Sequence, residues 1–115
     1  MDREFEEKIQ DLLLTLGITP NLKGFDNLKR AIEIGYQDPE SLSAMTKEVY
    51  PRIAKETQCT YASAERTIRH AIEVCFNKLS PEDQFKYFKN AVDPRKGKLT
   101  NSEFVSICVM LLKNM

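Results

Sequence analysis

The chain has 115 residues, 42% of them apolar and 30% charged, and a formal net charge of zero. That length suits one core, burying roughly 65% of the extended surface on folding, and six Phe with four Tyr are too many aromatics for a disordered tail. No run of 18 apolar residues exists to cross a membrane, and the acidic start Met1-Asp2-Arg3-Glu4-Phe5-Glu6-Glu7 has no apolar signal core.

The elements follow from periodicity and punctuation. Phe5, Ile9, Leu12, Leu13 and Leu16 keep the spacing of one helix face, and Gly17 closes that helix as a residue tolerant of positive φ. Phe25, Leu28, Ile32 and Tyr36 form a second stripe. Asp38-Pro39-Glu40 reads as the next start, with Asp38 as cap and Pro39 at the first helical position. Leu42, Met45, Val49, Ile53 and Ala54 continue it, and Pro51 should kink or split the segment. A short turn at Gln58-Cys59 leads to a helix opening at or just after Thr60. Ser80-Pro81-Glu82-Asp83 starts another, with Phe85 and Phe88 as its apolar residues, and Thr100-Asn101-Ser102-Glu103 is a capping box before the last. Sustained period-two alternation is missing, so no strand is predicted. The expected fold is all-α: a compact six-helix domain over 1–115 containing a helix-turn-helix at about 48–78. Val105, Val109 and Met110 widen the apolar surface of the last helix, which is read either as a buried core helix or as a dimer contact.

The helix after Thr60 is two-faced. At 100° per residue, Ala64, Ile68, Ala71, Ile72 and Cys75 fall within an arc of about 100°, and Glu65, Arg66, Arg69, His70 and Glu73 lie opposite. A recognition helix wants this arrangement. Arg matches the O6/N7 edge of guanine bidentately, and Glu can accept from a cytosine amine. Glu otherwise repels phosphate, so its presence favours base reading over plain charge attraction. Thr60 and Ser63 can donate to phosphate oxygens. Charge is segregated: residues 1–20 carry −3, whereas Lys86, Lys89, Arg95, Lys96 and Lys98 against Asp93 give +4. The Arg95-Lys96-Gly97-Lys98 loop is then a phosphate clamp if it lies beside the recognition helix. The turn departs from the usual pattern in holding Gln58 where Gly is common.

Other chemistries find little support. Cys59, Cys75 and Cys108 are odd in number and far apart, without Cys-x-x-Cys, which argues against a disulfide framework and against a zinc site. They fall mostly on apolar stripes, and a reducing, bacterial-type cytoplasm is the expected compartment. His70 is the only His, and no acid, base and nucleophile are placed together, so no enzyme and no cofactor are expected. Gly97 alone makes no phosphate-cradling loop.

The run Glu65-Arg66-Thr67-Ile68-Arg69-His70-Ala71-Ile72-Glu73-Val74 resembles the recognition helix of the sporulation master response regulator family, stage zero sporulation protein A. Lys23-Gly24-Phe25 through Leu28-Lys29-Arg30-Ala31-Ile32 resembles its second helix, and Thr46 through Lys55 its third. Thr100-Asn101-Ser102-Glu103-Phe104 resembles the start of its last, so the likeness spans about residues 8–112. It implies a six-helix effector domain that binds double-stranded DNA at a short box, often in tandem copies, and regulates transcription through RNA polymerase. It implies a guanine read by Arg66, a base edge faced by Glu65, and contacts to bases or backbone from Arg69 and His70. Together with the residues read above, the expected base readers are Glu65, Arg66 and Arg69, and the expected backbone contacts are Thr60, Ser63, His70, Lys96 and Lys98. The polymerase σ subunit and a second copy on tandem sites are the further partners implied. The family has Arg where this chain has Ser63 and Pro where it has Leu99, and the segment Asn77–Lys89, near which it meets polymerase, is unlike its own. A receiver domain precedes the family's effector and is missing here, which leaves an excised domain or a stand-alone effector. The rival expectation is a protein-interaction module of the same fold that modulates a full-length regulator or polymerase.

Overall fold

A computed structural model describes residues 3–93, 95 and 97–115. Six α-helices succeed one another: α1 (Arg3–Thr15), α2 (Gly24–Gln37), α3 (Tyr50–Thr57), α4 (Tyr61–Lys78), α5 (Pro81–Phe88) and α6 (Asn101–Lys113). No strand occurs among the described residues, and the all-α expectation holds.

Each helix end has a local cause. At the end of α1, Gly17 sits at φ +85°, the Ile18 N–H reaches Leu13 O at 2.9 Å and the Gly17 N–H reaches Leu14 O at 3.0 Å, which together close the helix as a Schellman motif. Ser80 caps α5 by accepting from the Asp83 N–H at 3.1 Å. The capping box of α6 is complete: the Glu103 N–H donates to Thr100 Oγ1 at 3.2 Å, and the Thr100 N–H donates to Glu103 Oε1 at 2.9 Å.

The segment between α2 and α3 departs from expectation. Asp38 does not cap a new helix with its side chain. Its own N–H still bonds Ile34 O at 2.8 Å, so it ends α2, and its carbonyl turns to accept from the Ser41 N–H and hydroxyl. Pro39–Ala44 is a 3₁₀ helix and Met45–Val49 a π turn, in which the Tyr50 N–H reaches Met45 O. Pro51 explains the widened turn. It has no N–H to give, and its ring crowds the carbonyl four residues back. One extra residue in the preceding turn relieves that clash, and Pro51 then falls in the first turn of α3, where no N–H is needed.

The core is continuous. Ile9, Leu13, Leu28, Ile32, Ile53, Ile68, Ile72 and Phe104 are fully sequestered, and α2 packs against α1, α4 and α6. Phe88 joins α5 to this core through stacked contacts with Phe76 and Phe104, their ring centres 5.1 and 5.6 Å away, while Phe85 of the same helix remains 55% exposed. Of the two readings of α6, burial prevails: Phe104, Val105, Cys108, Val109 and Leu112 are buried, and Met110 is exposed. Cys75 and Cys108 are core thiols, and burial pushes that of Cys75 up to about 12.

The tightest approach joins α2 to α4. A Cβ added at Gly24 would lie 2.0 Å from the Thr67 carbonyl oxygen, and backbone cannot yield as a flexible side chain would. Beside it, Asn27 Nδ2 donates to Thr67 Oγ1 at 3.0 Å. Gly24→Ala should therefore cost about 1–3 kcal/mol or more by pushing the two helices apart, read as a lowered urea midpoint. A midpoint equal to wild type would show that the approach is not tight.

Glu33 is buried on α2. Desolvation pushes its carboxyl above the usual range, Arg30 draws it part of the way back, and Glu6 adds to the rise. A raised carboxyl means that ionised Glu33 opposes folding at every pH above its unfolded-state value of about 4.3. Glu33→Gln should raise the urea midpoint at pH 7, and the gain should shrink as pH falls through the carboxylate range. An equal gain at pH 3 and pH 7 would remove charge as the cause.

Candidate nucleic-acid interface

Helices α3 and α4 are joined by Gln58, Cys59 and Thr60. Gln58 takes the left-handed conformation, φ 56° and ψ 43°, that glycine usually supplies, so the departure noted in the sequence changes the residue and leaves the turn intact. The Cys59 N–H returns to Ala54 O at 3.0 Å. Thr60 is extended and caps α4, its Oγ1 accepting from the Ser63 N–H at 3.0 Å. Its hydroxyl hydrogen is left to donate outward. Ile53 and Ala54 bury the inner side of α3, and a bidentate pair from Arg30 to Glu56, at 2.7 and 2.9 Å, fastens α3 to α2.

The two faces of α4 fall as the 100° rule predicts. Ala64, Ile68, Ala71, Ile72 and Cys75 are buried, joined by Phe76, while Arg66, Arg69 and His70 are exposed and Glu65 and Glu73 half-exposed. Arg66 makes no ion pair or hydrogen bond among the described residues. Arg69, with half its side chain exposed, lies 3.3 Å from Glu65 one turn back. Of the expected clamp loop, Gly97 and Lys98 lie beside α4, but Lys98 is already engaged: its Nζ is 2.8 Å from Glu73 Oε1, and that pairing holds the Glu73 carboxyl below the usual range. Arg95 pairs with Asp93 at 3.3 Å, and Lys96 lies outside the described residues.

Three features were not legible beforehand. Asn101 is buried, and its Nδ2 donates to Tyr50 Oη at 2.9 Å and to Glu65 O at 3.2 Å, tying α3, α4 and α6 together just behind the exposed face. Its place after a capping threonine gave no sign of this. Tyr61, the first residue of α4, is 53% exposed. Clefts flank the outer face of α4, among them one of about 660 Å³ lined by Tyr50, Glu65, Arg69 and Lys98, and one of about 530 Å³ lined by Lys23, Ser63, Arg66 and His70. Gly24 was the available signal for the second, since a glycine opening a helix marks a close approach.

A helix-turn-helix whose second helix exposes two Arg and a His beside a half-exposed Glu is suited to a DNA groove. Residues 9–112 match the family model described as Sporulation initiation factor Spo0A C terminal. The chain belongs to this family. It is therefore a sporulation-type DNA-binding effector domain for transcription regulation. In this Spo0A C-terminal domain α4 is the second helix of the helix-turn-helix, and the run Glu65–Val74 occupies its middle. No helix among the described residues is long and apolar enough to cross a membrane, and no group of three His, Cys, Asp or Glu among them could hold a metal.

The strained turn can be tested. A non-glycine residue in the left-handed region costs about 1–2 kcal/mol, part of which glycine returns through the greater freedom of its unfolded chain. Gln58→Gly should leave stability equal or raise it by up to about 1 kcal/mol, whereas β-branched Gln58→Val should lower it by about 1–2 kcal/mol. Thermal melts that rank the two variants the other way would contradict the turn geometry.

Proposed function

We propose that the protein binds duplex DNA sequence-specifically by laying α4 in the major groove, with Glu65, Arg66 and Arg69 at base edges. Thr60, Ser63, His70, Lys96 and Lys98 are its contacts to the flanking phosphates. The observation that carries this reading is the state of Arg66: an exposed guanidinium on the outer face of α4, with no carboxylate among the described residues to satisfy it. Such a group fits the O6/N7 edge of guanine without first breaking a pair. Glu65 and Arg69 meet bases by exchanging their mutual pairing for base edges, and Lys98 meets phosphate by releasing Glu73. A domain of zero net charge gains little from long-range attraction, so base contacts carry its preference.

The test is a selection of bound sequences from a random duplex library, followed by Arg66→Ala on the enriched box. A guanine-containing box should emerge. The variant should lose about 1–3 kcal/mol on it and flatten preference at one position. An unchanged ratio of cognate to scrambled affinity would remove Arg66 as a reader.

A second reading keeps the fold as an interaction module that acts on a full-length regulator or on polymerase. It is favoured by exposed Phe85 on α5, within the segment Asn77–Lys89 where a σ-subunit contact would fall. The same selection separates the two, because a module without DNA recognition enriches no box. A homodimer on tandem sites predicts paired boxes at fixed spacing.

A further inference from the structure

We propose that the cleft between α4 and the segment Asn21–Gly24 seats one phosphodiester of the bound duplex, with Lys23 as its principal cationic ligand. This inference rests on the DNA-binding reading and adds an anchor from outside the helix-turn-helix.

The chemistry of the lining comes first. Lys23 supplies the cation, His70 a ring N–H, Ser63 a hydroxyl and Asn21 an amide; Arg66, which reads a base edge, adds positive charge at the border, and no Asp or Glu among the described residues lines the cleft. The cleft on the other flank of α4 contains Glu65, and its two cations, Arg69 and Lys98, already face carboxylates. Lys23, Arg66 and His70 have no ion pair or hydrogen bond among the described residues. An acid-free recess with unpaired cations is the form that a phosphate oxygen accepts at least desolvation penalty.

Position comes second. Ser63, Arg66 and His70 follow at i, i+3 and i+7, which places them along one flank of α4 beside its outward centre. Phosphate rows border the major groove on the flanks of an inserted helix, where contacts fix register without reading sequence.

Rigidity comes third. The absence of a Cβ at Gly24 lets the backbone next to Lys23 touch the Thr67 carbonyl, and the Asn27–Thr67 hydrogen bond holds it there. The Leu22 N–H bonds Thr19 O and the Phe25 N–H bonds Leu22 O, both at 3.1 Å, so the segment has its own internal ties. Lys23 itself is exposed on this fixed strip. Its backbone needs no ordering when a phosphate arrives, and only side-chain freedom is lost.

The experiment uses the full chain and the selected box. Lys23→Gln should weaken cognate and scrambled duplexes by the same factor, and should reduce the slope of log K against log salt by about one. Lys23→Arg should keep the wild-type slope. Uncharged methylphosphonates placed singly along the box should reveal one phosphate whose neutralisation weakens wild type and leaves Lys23→Gln unaffected. Equal slopes for wild type and Lys23→Gln, or the lack of any such phosphate, would overturn the seat while leaving base reading by Arg66 standing. A wild-type chain that enriches no box overturns both.

Discussion

At residue 24 there is room for a hydrogen and nothing more. The carbonyl of Thr67 occupies the space a Cβ would need, so the start of α2 and the middle of α4 are held as one piece. Everything on the outer face of α4 inherits that fixity. Ile68, Ala71 and Ile72 lie on the inner side of the same turns, and Arg66, Arg69 and His70 stand on the outer side. From the far side, Asn101 grips the Glu65 carbonyl and the Tyr50 hydroxyl. α4 is thus braced by α2 on one flank and by α3 and α6 on the other. A helix that must present a few side chains to base edges gains from such bracing, because small misplacements break bidentate hydrogen bonds.

The charges around α4 divide into satisfied and unsatisfied groups. Arg30, Arg69, Arg95 and Lys98 each face a carboxylate. Apart from the bidentate Arg30–Glu56 pair, exposed pairs of this kind contribute little to stability, and their partners exchange readily. Arg66 and Lys23 face none among the described residues. The free cations are therefore the groups with most to gain from an anionic surface, and the paired ones become available only as the complex forms. On the binding reading proposed above, recognition in two stages fits this division: Arg66 and Lys23 would engage first, and Glu65–Arg69 and Glu73–Lys98 would open when bases and phosphates compete for them.

Much of the fold was legible because it follows short-range rules. The stripe of α1, the close at Gly17, the caps Ser80 and Thr100, and the two faces of α4 each depend on residues within one or two turns. The segment Pro39–Val49 was not legible in this form. Asp38 reads as a cap, yet α2 claims its N–H first, and the strain at Pro51 is relieved upstream of it as a π turn. Periodicity alone does not register either effect. The two faces of α4 were legible, because side-chain kind and spacing suffice for them. Its surroundings were hidden, because the ties of Asn101, the pairing of Lys98 with Glu73 and the approach of Lys23 join residues that are 25 or more positions apart. Phe85 and Phe88 make the same point. Both are apolar residues of one short helix, and only the packing of Phe88 on Phe76 and Phe104 distinguishes them.

Zero net charge is the sharpest constraint on how this domain can work. A basic domain gathers DNA from a distance through the summed field of many lysines, and its affinity falls steeply with salt. Here 17 basic residues are matched by 17 acidic ones, so that summed attraction is slight. The acidic side chains of α1 leave the cations of α4 and the Asn21–Gly24 segment as a local, short-range set. With few phosphates engaged the non-specific complex is weak, so a larger share of the total binding free energy has to come from base edges and from groove shape. A rigid backbone carrying few cations, correctly aimed, discriminates better than a flexible one carrying many, because each hydrogen bond that a wrong sequence fails to make is then a large fraction of the whole. On the binding reading proposed above, the glycine that locks α2 onto α4 would serve specificity as well as stability.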